Sequence, residues 1–244
     1  MLTLAVERST CRPGWALFRD SDCILEVVAD EEPARTPDWL ARLTRAIQKI
    51  GFSVADIDRF AVGLGPGSFS GTRSAVAAMQ GFSLPGNRPL LGVSSAAAQA
   101  FTLLTERETN GIYSPVAVVG DARRERLWCA VFILDPACNA NAPRRLLSLS
   151  GDAQHPLTHD APDFVLTPWN DLPAHLPSDT HVVSPDWDRL GAMLSACLSP
   201  EQVSVQPRRP TASEVGRLVL ADSASACADP TPIYLHPAVA LPKT

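Results

Sequence analysis

Gly63-Leu64-Gly65-Pro66-Gly67-Ser68-Phe69-Ser70-Gly71-Thr72-Arg73 lies between the apolar run Arg59-Phe60-Ala61-Val62 and a segment containing Ala75, Val76, Ala77, Ala78, Met79 and Gly81. The run reads as a buried strand and residues 71–84 as a helix, so the quoted stretch is a strand-to-helix turn. Its glycines permit positive φ and close backbone approach. Two readings follow: the turn presents backbone N–H groups to an anion, or it is a tight connection shaped for packing. A Walker A loop is absent, because there is no lysine and Gly65 to Gly71 is one residue too long. G-x-G-x-x-G fails at Ser68 and again at Ser70, and no G-x-S-x-G elbow fits. Arg73 falls early in the helix, where the macrodipole disfavours a cation by roughly 0.3–1 kcal/mol. It is compensated either by an acidic partner residue or within its own chain.

Outward from this turn, residues 2–29 read as three short strands, LTLAVE, GWALFR and CILEVV, punctuated at Arg12-Pro13-Gly14 and Asp20-Ser21-Asp22. Pro37 is suited to the first position of a helix. Trp39, Leu40, Leu43, Ile47 and Ile50 then recur at helical spacing up to Gly51. After the turn come a strand at 89–93 and a helix at 94–106 capped by Ser94 or Ser95. The pattern restarts with strands at 115–121, 126–134 and 144–150. It continues through FVLTPW, a strand at 181–185, a helix at 186–198, a strand at 203–207 and a helix at 210–226. A meander followed by alternating helices and strands, occurring twice, resembles the ribonuclease H-like fold. The expected division is a lobe at 1–106 and a second at 107–244 with a proline-rich tail.

The 244 residues are 45% hydrophobic and 19% charged, enough apolar content to bury a core. No apolar run reaches a membrane span, and the N-terminus reads as a strand rather than a signal peptide. A cytoplasmic location is expected. Net charge is −5, with Lys49 and Lys243 the only lysines, so the basic footprint of a self-sufficient nucleic-acid binder is missing. Any RNA would be held mostly by another chain. The six cysteines form no CxxC pair, which argues for free thiols rather than zinc ligands. His155 and His159 have the i, i+4 spacing of a helical metal pair but lie in a proline-rich region, so no metal site is expected. Ser68 and Ser70 have no histidine near them in sequence.

Residues 65–73 resemble the G-P-G-S-F-T-G-x-R signature of the TsaB/YeaZ family, with Ser70 for the usual Thr. Gly92-Val93-Ser94-Ser95 resembles that family's G-V-S-[ST]. Asp121-Ala122-Arg123 resembles its D-A-R, and Pro232-Ile233-Tyr234-Leu235 its terminal P-x-Y-L-R, with His236 replacing Arg. The resemblance implies an α/β fold of two ribonuclease H-like lobes of the actin/Hsp70-like ATPase superfamily. It implies a non-catalytic subunit that pairs with a TsaD-type enzyme to put threonylcarbamoyl on a tRNA adenosine next to the anticodon. A TsaE-type small ATPase joins the pair, and tRNA is bound mainly through the complex. No tightly bound cofactor is expected; ATP or ADP with Mg²⁺ would sit at the complex interface. The alternative is an independent ATPase or glycopeptidase-like hydrolase on the same fold.

By the same resemblance, partner contacts fall on helices 37–50 and 71–84: Trp39, Leu40, Leu43, Ile47, Arg73, Val76, Met79 and Gln80. Without the partner, these helices would pair two copies of the chain. The apolar stripe of the first helix reads equally as internal core. The family loop is Gly65, Pro66, Gly67, Ser68, Phe69 and Gly71. A vestigial nucleotide cleft would be marked by Glu7, Ser9 and Asp121. Glu7-Arg8 departs from the usual Asp-Thr, placing a bulky side chain at the first hairpin. Asp121 is either a water-mediated Mg²⁺ ligand or a structural acid at a strand end.

Overall fold

The computed structural model describes residues 1–29, 38–137, 144–150, 164–222 and 226–235. Pro37, Cys138, His155, His159, His236 and Lys243 lie outside these residues. Strands β1 (Leu2–Glu7), β2 (Gly14–Arg19) and β3 (Asp22–Val28) form the antiparallel meander. Strands β4 (Arg59–Gly63) and β5 (Leu90–Val93) add to it in parallel, giving the order β3-β2-β1-β4-β5. The second sheet repeats this plan. Its meander is β6 (Val116–Arg123), β7 (Arg126–Leu134), and the short β8 (Leu146–Ser148) and β9 (Val165–Pro168), both paired to β7. Strands β10 (His181–Ser184) and β11 (Val203–Pro207) extend it in parallel beyond β6. Two lobes of one topology are therefore present, as the doubled sequence pattern predicts.

Among the described residues, five α-helices pack on these sheets: α1 (Trp39–Lys49), α2 (Phe69–Ser83), α3 (Ser95–Thr109), α4 (Trp187–Cys197) and α5 (Ala212–Ala221). In α1, Trp39, Leu43 and Ile47 recur every four residues and are buried against Leu4, Val6, Phe60 and Val62. Each such burial contributes about 1.5–3 kcal/mol. The face is therefore core, and Trp39, Leu43 and Ile47 are withdrawn as partner contacts. The same correction applies to Val76 and Met79 of α2, which face the same core.

The division at residue 106 separates the sheets but not the helices that cover them. Helix α3, from the first half of the chain, packs on β6 and β7. Helix α5, from the second half, packs on β1, β2 and β4. The central layer between the sheets is thus shared, and its core joins Ala5, Ala16 and Ala61 to Val118, Ala130 and Phe132. Small residues on both faces allow this close approach: a Cβ on Gly216 of α5 would stand 2.2 Å from the Phe18 ring. Helix α5 ends at Ala221, five residues earlier than its apolar pattern suggests. There Asp222 leaves helical geometry and its carboxylate accepts from the Leu146 N–H at 3.4 Å.

Candidate functional site

Between the lobes lies a cleft of about 900 Å³. Ser9, Thr10 and Cys11 of the β1–β2 hairpin line one side, with Pro66 to Phe69 beside them. Asp121 to Arg123 of the β6–β7 hairpin line the other, with Asp186, Asp188, Arg189 and Arg209. Pro232 to Leu235 of the tail complete the wall.

The glycine turn is built by packing against the first hairpin. A Cβ on Gly67 would stand 2.1 Å from the Ser9 carbonyl oxygen, and one on Gly71 would stand 2.1 Å from that of Arg8. Gly65, at φ 88°, adopts a backbone that an L side chain rarely takes. Its amides are largely committed: Gly65 N–H donates to Ser95 Oγ, Ser68 N–H to the Ser9 carbonyl, and Gly71 N–H to Ser68 Oγ, the cap of α2. Of the two readings of this turn, packing accounts for these three donors.

Glu7 closes the same knot. It is fully buried, accepting from the Ser9 N–H and from Ser95 Oγ at 2.5 Å each. Burial holds its pKa above the ordinary carboxylate value, against the lowering effect of these hydrogen bonds. Ser94 caps α3 by accepting from the Ala97 N–H, which leaves the Ser95 hydroxyl for Glu7. Arg8 is equally buried, with its guanidinium 4.3 Å from the Trp39 ring. Neither Glu7 nor Arg8 lines the cleft, which corrects the expectation that Glu7 marks its nucleotide side. Of the three residues assigned there, the cleft receives Ser9 and Asp121.

At the second hairpin Asp121 is accessible but engaged. Its carboxylate meets Arg123 at 3.1 Å and Arg189 at 2.8 Å. Arg189 also holds Asp186, whose carboxylate accepts from the Asp121 N–H. Arg209 pairs with Asp188. The Arg123 N–H is turned onto Asp121 Oδ1. The Ser9, Gly65, Ser68, Gly71, Asp121 and Arg123 backbone N–H groups are thus directed at protein atoms. Among the described residues, no group of three metal-ligating side chains lies together.

On the outer side of α2, Arg73, Ala77, Gln80 and Gly81 are exposed, followed by Leu84 at 77% exposure. Leu40 on α1 is half-buried at the edge of the core that α1 and α2 share. Arg73 is not left to a partner alone: its guanidinium lies 4.9 Å from the Phe69 ring. Sequence reasoning missed the tail's place in the site. Ile233 N–H donates to the Leu64 carbonyl at 2.9 Å, and the Tyr234 and Phe69 rings stand 5.5 Å apart. Three of the four sequence landmarks thus line one cleft, while Gly92–Ser95 lies behind it, joined to the glycine turn through Ser95 Oγ.

A family model described as TsaD, tRNA N6-adenosine threonylcarbamoyltransferase, matches residues 39–136. The tRNA threonylcarbamoyladenosine biosynthesis protein TsaB of Escherichia coli is 31% identical over 141 residues, covering 55% of this chain and 56% of that one. YeaZ from Pseudomonas aeruginosa superposes with a TM-score of 0.68 at 20% identity, over 96% of this chain and all of that one. Over these spans the chain is similar to TsaB/YeaZ proteins. A tRNA N6-adenosine threonylcarbamoyltransferase of Jannaschia is 34% identical over 92 residues, 38% of this chain and 24% of its own. The chain thus spans about a quarter and about half the length of these two curated relatives. The two-lobed fold is that of the YeaZ structure from Pseudomonas aeruginosa. Among the described residues no helix is long and apolar enough to cross a membrane.

Proposed function

We propose that this chain is a non-catalytic subunit for threonylcarbamoyl modification of tRNA, pairing with a TsaD-type transferase. One observation carries the reading: the acids of the two hairpins, one behind the cleft wall and one on it, are both tied to the protein itself. Glu7 is sealed under Ser9 and Ser95, and Asp121 is held by two arginines. The relatives' names supply the reaction, and the small-residue outer face of α2 supplies a docking surface. On that face Arg73, Ala77, Gln80, Gly81 and Leu84 are the contacts, with Leu40 at its border. A cluster of small side chains lets a partner helix approach closely. Binding there would act by favouring the partner's active arrangement rather than by bond chemistry. A TsaE-type ATPase and tRNA would join through the complex, consistent with the acidic net charge of this chain. Any adenine nucleotide with Mg²⁺ would belong to the complex interface. Without the partner, the same α2 face would pair two copies of the chain.

The test is reconstitution. The chain is purified with a TsaD-type protein, and threonylcarbamoyladenosine is measured in tRNA with and without it. A stable complex and modification that requires this chain are expected. Equal modification without it, and no complex, would overturn the proposal. So would ATP hydrolysis by the chain alone that is lost in Asp121→Asn.

A further inference from the structure

We infer that residues 226–235 form a strap that positions the first turn of α2 for its partner, an inference that rests on the docking face proposed above. The strap is anchored at three successive points. Cys227 pairs with Gly92 on the edge strand β5, each backbone N–H donating to the other's carbonyl at 2.8 Å. Pro230 then covers Gly92, where a Cβ would stand 2.6 Å from the proline ring and 2.9 Å from Leu64. Ile233 donates its N–H to the Leu64 carbonyl and packs against the core beneath α1 and α2. Leu235 packs instead against the core between the sheets. Tyr234, between two half-buried anchors, is left 49% exposed with its ring on Phe69.

Phe69 is the first residue of α2, and its other aromatic contact is the Arg73 guanidinium. Tyr234, Phe69 and Arg73 therefore form a row running from the cleft wall to the outer face of α2. Phe69 is itself 57% exposed, so its own burial does not fix its rotamer. The two flanking contacts do: a tilted ring on one side and a cation over the ring on the other. Tyr234 is thus a positioning residue: it sets Phe69, and Phe69 sets Arg73. The strap also explains a pairing of landmarks. Gly92 is small because Pro230 lies on it, and the Leu64 carbonyl, just before the glycine turn, is the acceptor for the tail.

The experiment uses the full chain, Tyr234→Ala and Tyr234→Phe. Amide exchange at residues 65–73 is followed in the chain alone, and affinity is measured for a TsaD-type protein. Tyr234→Ala is expected to speed exchange at Ser68, Gly71 and Thr72 by roughly tenfold, while the strands keep wild-type rates. It should weaken the partner by a comparable factor, and Tyr234→Phe should restore both. Unchanged exchange at 65–73, or exchange that rises equally in both sheets, would overturn the strap. Ala77→Arg separates the two readings. If it binds the partner as wild type does, the docking face is wrong, and exchange at 65–73 still decides the strap. If it blocks binding while Tyr234→Ala leaves affinity unchanged, the strap's positioning role is wrong.

Discussion

The β1–β2 and β6–β7 hairpins hold equivalent places in their lobes, each with an acid in the last residues of its first strand, yet the acids have different surroundings. Glu7 is buried beneath the glycine turn and bonded only to neighbours that donate neutral hydrogens. Asp121 faces the cleft within a net of arginines. The first lobe has a glycine turn after β4 that presses onto its hairpin. In the second lobe β10 ends in Ser184-Pro185-Asp186, and Asp186 reaches its hairpin by a side chain instead of by backbone packing. A duplicated topology therefore yields one locked hairpin and one electrostatically tethered hairpin. The difference lies in which atoms close the gap.

Breaking the lock should cost most. Gly71→Ala forces a Cβ onto the Arg8 carbonyl, a backbone atom that cannot rotate away, and should destabilise by about 3 kcal/mol in denaturant unfolding. Loss below about 1 kcal/mol would show that the hairpin yields.

The buried acids give the next effect, read as stability against pH. Glu214 of α5, paired with Arg208, has its pKa raised to about 7, chiefly by burial, with Glu7 among the charges that add to the rise. A raised folded pKa means the folded state binds the proton more tightly. Its contribution is full below the unfolded value near 4.5 and disappears as pH climbs through about 7. The corresponding loss is on the order of 3 kcal/mol. Glu7 acts in the same direction. Glu7→Gln and Glu214→Gln should each flatten the decline between pH 5 and 8 in parallel urea titrations; a slope equal to wild type would contradict this.

The tethered hairpin offers smaller changes. Arg124 and Glu125 hold φ of 53° and 60°, a left-handed turn for which Asn-Gly is better suited. Arg124→Asn with Glu125→Gly should stabilise by about 1 kcal/mol, seen as a higher melting temperature. Asp121→Asn should cost least, about 0.5–1 kcal/mol, because its arginine partners are well exposed, and the difference should shrink in high salt. A larger cost that is insensitive to salt would mean the two hairpins are alike after all.

The reading of elements from sequence was close because each had local signals. Alternation between Pro13-Gly14 and Asp20 marks β2, and four-residue spacing up to Gly51 marks α1. Ser68 and Ser94 cap α2 and α3. The landmarks named the site's parts but not their directions. Arg8 follows an acid at a hairpin, and nothing local says that its side chain turns under Trp39. The α1 stripe was legible as apolar, but its direction toward the chain's own sheet depended on where the sheet lay.

By itself, the sequence determined the two meanders, the alternation after each, the helix caps and the glycine turn, since all of these follow from short-range sterics and hydrophobic period. Tertiary structure alone decided that α3 and α5 cover each other's sheets and that the tail returns to Leu64 and Phe69. It also decided that one hairpin acid is sealed while the other faces the cleft within a net of arginines. These outcomes depend on contacts between residues far apart in the chain, where packing density and desolvation, rather than local propensity, select the arrangement.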